Sequence, residues 1–296
     1  MDYYLQLRNL PYKRVVQPSH LPRPDLQRLG INYRRIPLVA IGRDIYCDTR
    51  LIIAKFETLF PDGALGARNA FERGVGRVLE SWVIDAGPFQ RAAGVLPTSS
   101  PLVQSEVWLK DRADGSGGKF TLKALKEGRP ENLAHLRVYF DLIERDLLAD
   151  GREYVFGTPQ PSLGDVHAVW CFDWVTGLIQ AAPQETGEDI FNEQAYPKVF
   201  AWVRRFRSAY KTAIQRNGEA KMLSSEEAIR RILASATFEK EGGVDEFDPL
   251  KLRKGEMVRV CQVISASRMR IRASVFPSHL TRLLWRRRCV VDRMGV

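Results

Sequence analysis

Two short apolar runs, Leu38–Ile41 and Ile45–Cys47, flank a Gly42-Arg43-Asp44 turn, and an Asp48-Thr49 pair follows before an amphipathic stretch that runs to Phe60. That order predicts a β-hairpin over 38–47 feeding a helix N-terminus, with Pro37 just ahead of the first strand. Upstream, Tyr3 to Leu10 reads as the last turns of a helix, Tyr12–Val16 as a short strand, and Asp25 to Gly30 as a short helical piece after Pro18, Pro22 and Pro24. Pro61-Asp62-Gly63 closes this section.

From Ala67 onward only helical spacing recurs. Phe71, Val75, Val78, Leu79, Trp82 and Val83 mark one helix; Leu133, Leu136, Phe140, Ile143 and Leu147 mark a long one. Val166, Trp170, Trp174 and Leu178, four apart, mark a third, and Val199, Trp202, Val203, Phe206 and Tyr210 a fourth. A shorter helix spans Ser225 to Ala236. The stretch Asp111-Arg-Ala-Asp-Gly-Ser-Gly-Gly118 is expected to be an exposed connection. The fold class is therefore a small α/β unit followed by an all-helical one. The expected divisions are residues 1–62, 67–240 and a basic tail over 241–296 that is poorly ordered.

Charge changes this picture only at one end. Of 45 Lys+Arg and 35 Asp+Glu in 296 residues, the segment 251–296 holds twelve basic residues against Glu256 and Asp292, so the rest of the chain is neutral. Arg268, Arg270, Arg272, Arg282, Arg286, Arg287 and Arg288 gather where no acid occurs between Met257 and Val291. Three readings stand: an arm for nucleic acid or an anionic surface, a disordered tail, or translation from a shifted reading frame. The four cysteines (47, 171, 261, 289) form no C-x-x-C pair, so a reducing cytosol is the default compartment. No apolar run approaches the roughly 20 residues of a membrane span. The four histidines show no metal-ligand spacing, and no cofactor is expected. Asp114-Gly-Ser-Gly-Gly-Lys119 lacks the order of a P-loop, and no Gly-x-Ser-x-Gly elbow occurs.

Three constellations carry candidate chemistry. Ile36-Pro37 places an extended residue before proline, and a cis bond there would turn the Ile36 backbone outward to pair with a peptide ligand. Asp48 and Thr49 open a helix, where their side chains cap free N–H groups or join the helix end in holding a carboxylate. Ser162-x-x-Asp165 reads as a capping box, a folding signal rather than a catalytic one. Asp173, in the Trp-rich helix, has either a buried donor or an exposed edge.

Together, Ile36-Pro37, the hairpin, Asp48-Thr49 and Pro161-Ser-Leu-Gly-Asp165 resemble the glutathione S-transferase family, and most of all its fungal glutathione-transferase-like members, over residues 1–240. The resemblance implies a thioredoxin-like N-terminal domain, its first strand missing and its front truncated, followed by a helical C-terminal domain. It implies that the Ile36 backbone, beside a cis Pro37, binds the cysteinyl part of glutathione while Asp48 and Thr49 hold the γ-glutamyl end. The implied activity is conjugation of glutathione, as co-substrate, to small apolar electrophiles by a cytoplasmic homodimer active in detoxification. A catalytically silent protein binding glutathione or a partner through the same fold is the alternative. The family's thiol-activating Tyr, Ser or Cys follows a first strand that has no counterpart here. Tyr3 and Tyr4 are the nearest hydroxyls, and the catalytic residue stays unassigned.

Overall fold

The structure, a computed structural model, describes residues 1–240, 246–247, 249, 258–264, 267–270, 283–284 and 289–293. In chain order the first elements are α1 (Asp2–Leu7), β1 (Lys13–Arg14), α2 (Pro24–Arg28), β2 (Leu38–Ile41), β3 (Asp44–Cys47) and α3 (Thr49–Leu59). Helices follow: α4 (Ala70–Asp85), α5 (Pro88–Gly94), α6 (Pro101–Gln104), α7 (Glu106–Ser116) and α8 (Leu122–Leu142). Next come a π-helical turn (Ile143–Leu147), α9 (Leu163–Ala181), α10 (Pro183–Thr186), α11 (Pro197–Asn217), β4 (Lys221–Met222) and α12 (Ser225–Ala234). Strands β5 (Val258–Ile264), β6 (Ser267–Arg270), β7 (Leu283–Leu284) and β8 (Cys289–Arg293) complete the order. No helix among the described residues is long and apolar enough to cross a membrane.

These elements form two units. One comprises Met1–Tyr12, Phe56–Leu109 and Phe120–Ala220; the other comprises Lys13–Lys55, Lys110–Lys119 and Lys221–Val296.

The first unit is helical. The buried line on α9 runs through Val169, Phe172, Val175 and Ile179, not through the tryptophans. Trp170 and Trp174 are half-buried and meet Phe89 at ring distances of 5.6 and 6.0 Å. Phe172 packs between Phe140 at 5.1 Å and Trp202 at 5.9 Å, joining α8, α9 and α11. The buried Glu144 carboxylate accepts the Lys198 and Val199 N–H groups, both at 2.9 Å, and so caps α11 behind Pro197. On α1, the Arg8 guanidinium donates to the Tyr4 hydroxyl at 2.7 Å and pairs with Glu57. Along α4 only part of the expected apolar face is buried: Leu79 and Val83 are inside, whereas Phe71 is 78% and Val78 is 65% exposed. Periodicity marks a helix, but it does not say which of two apolar stripes meets a neighbour.

In the second unit β2 and β3 pair antiparallel, Leu38 opposite Cys47 and Ile41 opposite Asp44, and β7 adds parallel to β3 through Ile45–Leu283 and Tyr46–Leu284. The turn needs Gly42, whose φ is +60°; a Cβ there would lie 2.6 Å from the Ala236 carbonyl oxygen. Leu29, Ile31, Tyr33, Ile45 and Cys47 form a core closed by Ile229 of α12, with Leu26, Leu38 and Ile232 packed against it. The segment after α12 is fastened to the hairpin. The Ala236 carbonyl accepts the Arg43 N–H at 3.0 Å, and the fully buried Asp44 carboxylate accepts the Phe238 and Glu239 N–H groups at 2.8 and 2.7 Å. β1 pairs parallel with β4, and β5 lies between β6 and β8 in an antiparallel sheet. Arg268 and Arg270 fall on β6, while Arg272, Arg282, Arg286, Arg287 and Arg288 lie outside the described residues.

The expected open connection over 111–118 is largely helical, because α7 extends to Ser116 and Asp111 is buried. Its glycines read as loop-formers in sequence, yet one of them serves packing instead.

Candidate functional site

The candidate residues adjoin the end of the hairpin away from its turn. Leu38 opposite Cys47 is the last pair of the ladder; Ile36 and Pro37 lead into β2 there, and Asp48 and Thr49 lead out of β3 into α3. Two pairs eleven or more residues apart in sequence thus share one end of the hairpin. The Ile36–Pro37 peptide bond is cis, and both residues are exposed, Ile36 at 45%.

Asp48 and Thr49 are half-buried at the start of α3. Asp48 has φ +75°, a left-handed conformation that aspartate tolerates better than most side chains. Its Oδ1 accepts the Arg50 N–H at 3.0 Å and its carbonyl accepts the Ile52 N–H at 3.0 Å, so this residue caps the helix. The Arg50 guanidinium returns to the same carboxylate, Nη2 to Oδ2 at 2.9 Å. The helix end therefore presents an anion and a cation together, a pairing absent from the sequence reading, which considered only Asp48 and Thr49.

Ser162 and Asp165 lie elsewhere, in the helical unit, both buried. Asp165 Oδ2 accepts the Ser162 N–H at 2.9 Å and hydroxyl at 2.6 Å, and the Ser162 hydroxyl accepts the Asp165 N–H at 3.4 Å. The other oxygen, Oδ1, accepts the Val155 N–H at 2.9 Å and the Trp202 indole N–H at 2.8 Å. All its neighbours are structural groups, and this carboxylate ties three segments together. Asp173 also has partners: the Tyr3 hydroxyl donates to one oxygen and the Arg207 guanidinium to the other.

Neither early tyrosine is set up to activate a thiol. Tyr4 is fully buried and donates to Glu57 at 2.7 Å, and Tyr3 donates to Asp173. Burial first, and then these carboxylates, push both phenols above their ordinary pKa.

Residues 1–64 match the family model for the glutathione S-transferase N-terminal domain, and residues 91–215 match a domain of unknown function (DUF7962). A GST-like protein from Pseudomonas syringae superposes with a TM-score of 0.64, covering 99% of this chain and 94% of its own at 19% identity. The fold is that of a glutathione S-transferase. A glutathione S-transferase from Actinobacillus pleuropneumoniae is similar at a TM-score of 0.46 and 13% identity, over 74% of this chain and 87% of its own. A glutathione transferase homologue from Sulfitobacter, whose structure contains bound glutathione, gives 0.43 and 14%, over 62% and 74%. No curated protein matches the sequence. In glutathione S-transferase terms, a thioredoxin-like N-terminal domain precedes a helical C-terminal one, as the family resemblance implied. The hairpin end with Ile36, Pro37, Asp48 and Thr49 falls inside the matched N-terminal domain.

Proposed function

We propose that this protein binds glutathione at the open end of the hairpin. The observation that supports the reading is the hairpin, whose last pair, Leu38 opposite Cys47, adjoins the exposed Ile36–Pro37 segment on one strand and the Asp48–Arg50 ion pair on the other. A γ-glutamyl group carries an ammonium and a carboxylate on one carbon. Asp48 answers the ammonium, Arg50 and the end of α3 answer the carboxylate, and Ile36 supplies backbone hydrogen bonds to the cysteinyl amide. The bound thiol conjugates to a small apolar electrophile, a cytoplasmic detoxification activity. The protein assembles as a homodimer through the outward stripe of α4, where Phe71 and Val78 lie seven residues apart on one face.

Titration calorimetry of the full chain with reduced glutathione tests the binding. Saturable binding is expected, weakened about tenfold or more in Asp48→Ala, since a charge-assisted hydrogen bond is worth roughly 1.5–3 kcal/mol. Asp48→Asn keeps the helix cap and separates lost charge from lost fold. A wild-type chain without saturable binding at millimolar glutathione overturns the reading. Turnover of a standard aromatic electrophile then separates the transferase from the silent binding protein, because only the former consumes the thiol.

A further inference from the structure

We propose that the glycine-containing half of α7 is a brace that positions the Ile36–Pro37 turn, with Asp111 and Gly115 acting on it through Arg34. The proposal rests on the glutathione reading above and names what holds its peptide edge in place.

Four observations converge on Arg34, two residues before Ile36. Its guanidinium is buried, ion-paired to Asp111 Oδ2 at 2.7 Å and donating to the Asp111 backbone carbonyl. Asp111 is fixed in turn, its Oδ1 accepting the Leu21 N–H at 3.0 Å while Arg112 approaches Oδ2 at 3.0 Å. The Arg34 carbonyl accepts from Nη1 of buried Arg23 at 2.6 Å, and Arg23 Nε donates to the Pro18 carbonyl at 2.9 Å. Finally, Arg34 lies against Gly115: a Cβ there would stand 2.6 to 2.7 Å from its Nε, Cζ and Nη2. Gly115 sits inside a helix, where glycine is a poor choice. Room for this guanidinium is the reason the structure offers.

Arg34 is thereby held through side chain and carbonyl together, and about 7 Å of chain at most separates it from Ile36. Ile36 and Pro37 are exposed, and the turn is anchored by Leu38 in β2 on one side and by residue 34 on the other. Two guanidiniums, of Arg34 and Arg112, share one buried carboxylate here with Arg23 close by, and burial lowers the pKa of both Arg23 and Arg112. Such a cluster is poor value for stability, since apolar side chains of similar size fill such a site as well or better. What it supplies is a fixed geometry for the backbone that follows.

The test compares wild type with Gly115→Ala, Asp111→Asn and Arg34→Lys in the full chain. It combines amide hydrogen exchange of Arg34, Arg35 and Ile36, glutathione titration and thermal unfolding. Gly115→Ala is the sharpest variant, because alanine favours the helix while displacing Arg34. We expect exchange at 34–36 to quicken about tenfold and glutathione affinity to fall about tenfold. The melting temperature should hold or rise, with exchange over 45–53 unchanged. Arg34→Lys, which keeps the charge but not the planar fork, should show the same pattern more weakly. Unchanged exchange at 34–36, quickening spread over the whole chain, or unaltered affinity beside quickened exchange would each overturn the brace. A wild-type chain that binds no glutathione overturns the functional reading alone; exchange then still decides the brace, quickened for it and unchanged against it.

Discussion

Asp165 and Glu185 show how much a single carboxylate organises in the helical unit. Asp165 accepts four hydrogen bonds from Ser162, Val155 and Trp202, so the motif Ser162-x-x-Asp165 announces only half of its work. Glu185 takes the Thr98 N–H and hydroxyl, each at 2.8 Å, and the Ser99 N–H at 3.2 Å. Hydrogen bonds from Ser99 and then Thr98 outweigh burial and hold its pKa down at about 2, from an ordinary 4.5. A carboxyl with a depressed folded pKa stabilises fully above its unfolded value, and that stabilisation drains away as pH falls through the folded one. Melting temperature measured against pH should therefore fall between about 4.5 and 2 in wild type, and more shallowly in Glu185→Gln, which keeps the oxygen acceptor but cannot ionise. Parallel acid limbs for the two proteins would refute this.

Elements divide into those announced locally and those decided at a distance. The hairpin was legible because a turn between two apolar runs is a short-range signal, and the α9 capping box because its partners are three residues apart. Helix α12 shows the other case. Its pattern identified a helix, but not that Ile229 would complete a core built from Leu29, Ile31, Tyr33, Ile45 and Cys47. Ile229→Ala should then cost about 2–4 kcal/mol in chemical denaturation of the unit that contains the hairpin. A loss under about 1 kcal/mol would mean that α12 is an ornament on that core. Likewise α7 read as a loop because Asp111 meets Arg34 across 77 positions, where no local pattern reaches. The paired Arg8 and Glu57, 49 apart, were silent in sequence for the same reason.

At the scale of the whole molecule, the α4 stripe bears on assembly. Phe71 and Val78 expose apolar area that another surface would cover. Analytical ultracentrifugation should find a dimer at micromolar concentration, shifted toward monomer by Phe71→Glu; a wild-type monomer would rule the assembly out. The fastening of residues 236–239 onto the hairpin has another consequence, one of timing. The turn at Gly42, the carboxylate of Asp44 and the cluster around Ile45 meet Ile229 and Phe238 only after roughly 180 further residues have been made, on the order of 10–40 s of synthesis at ordinary rates. Throughout that interval a ribosome carries a strand pair whose apolar side has Leu29, Ile31 and Tyr33 on it but not yet Ile229. The N-terminal domain is thus translated first and finished last, and a nascent chain halted before residue 225 should be a client for chaperones rather than a folded domain.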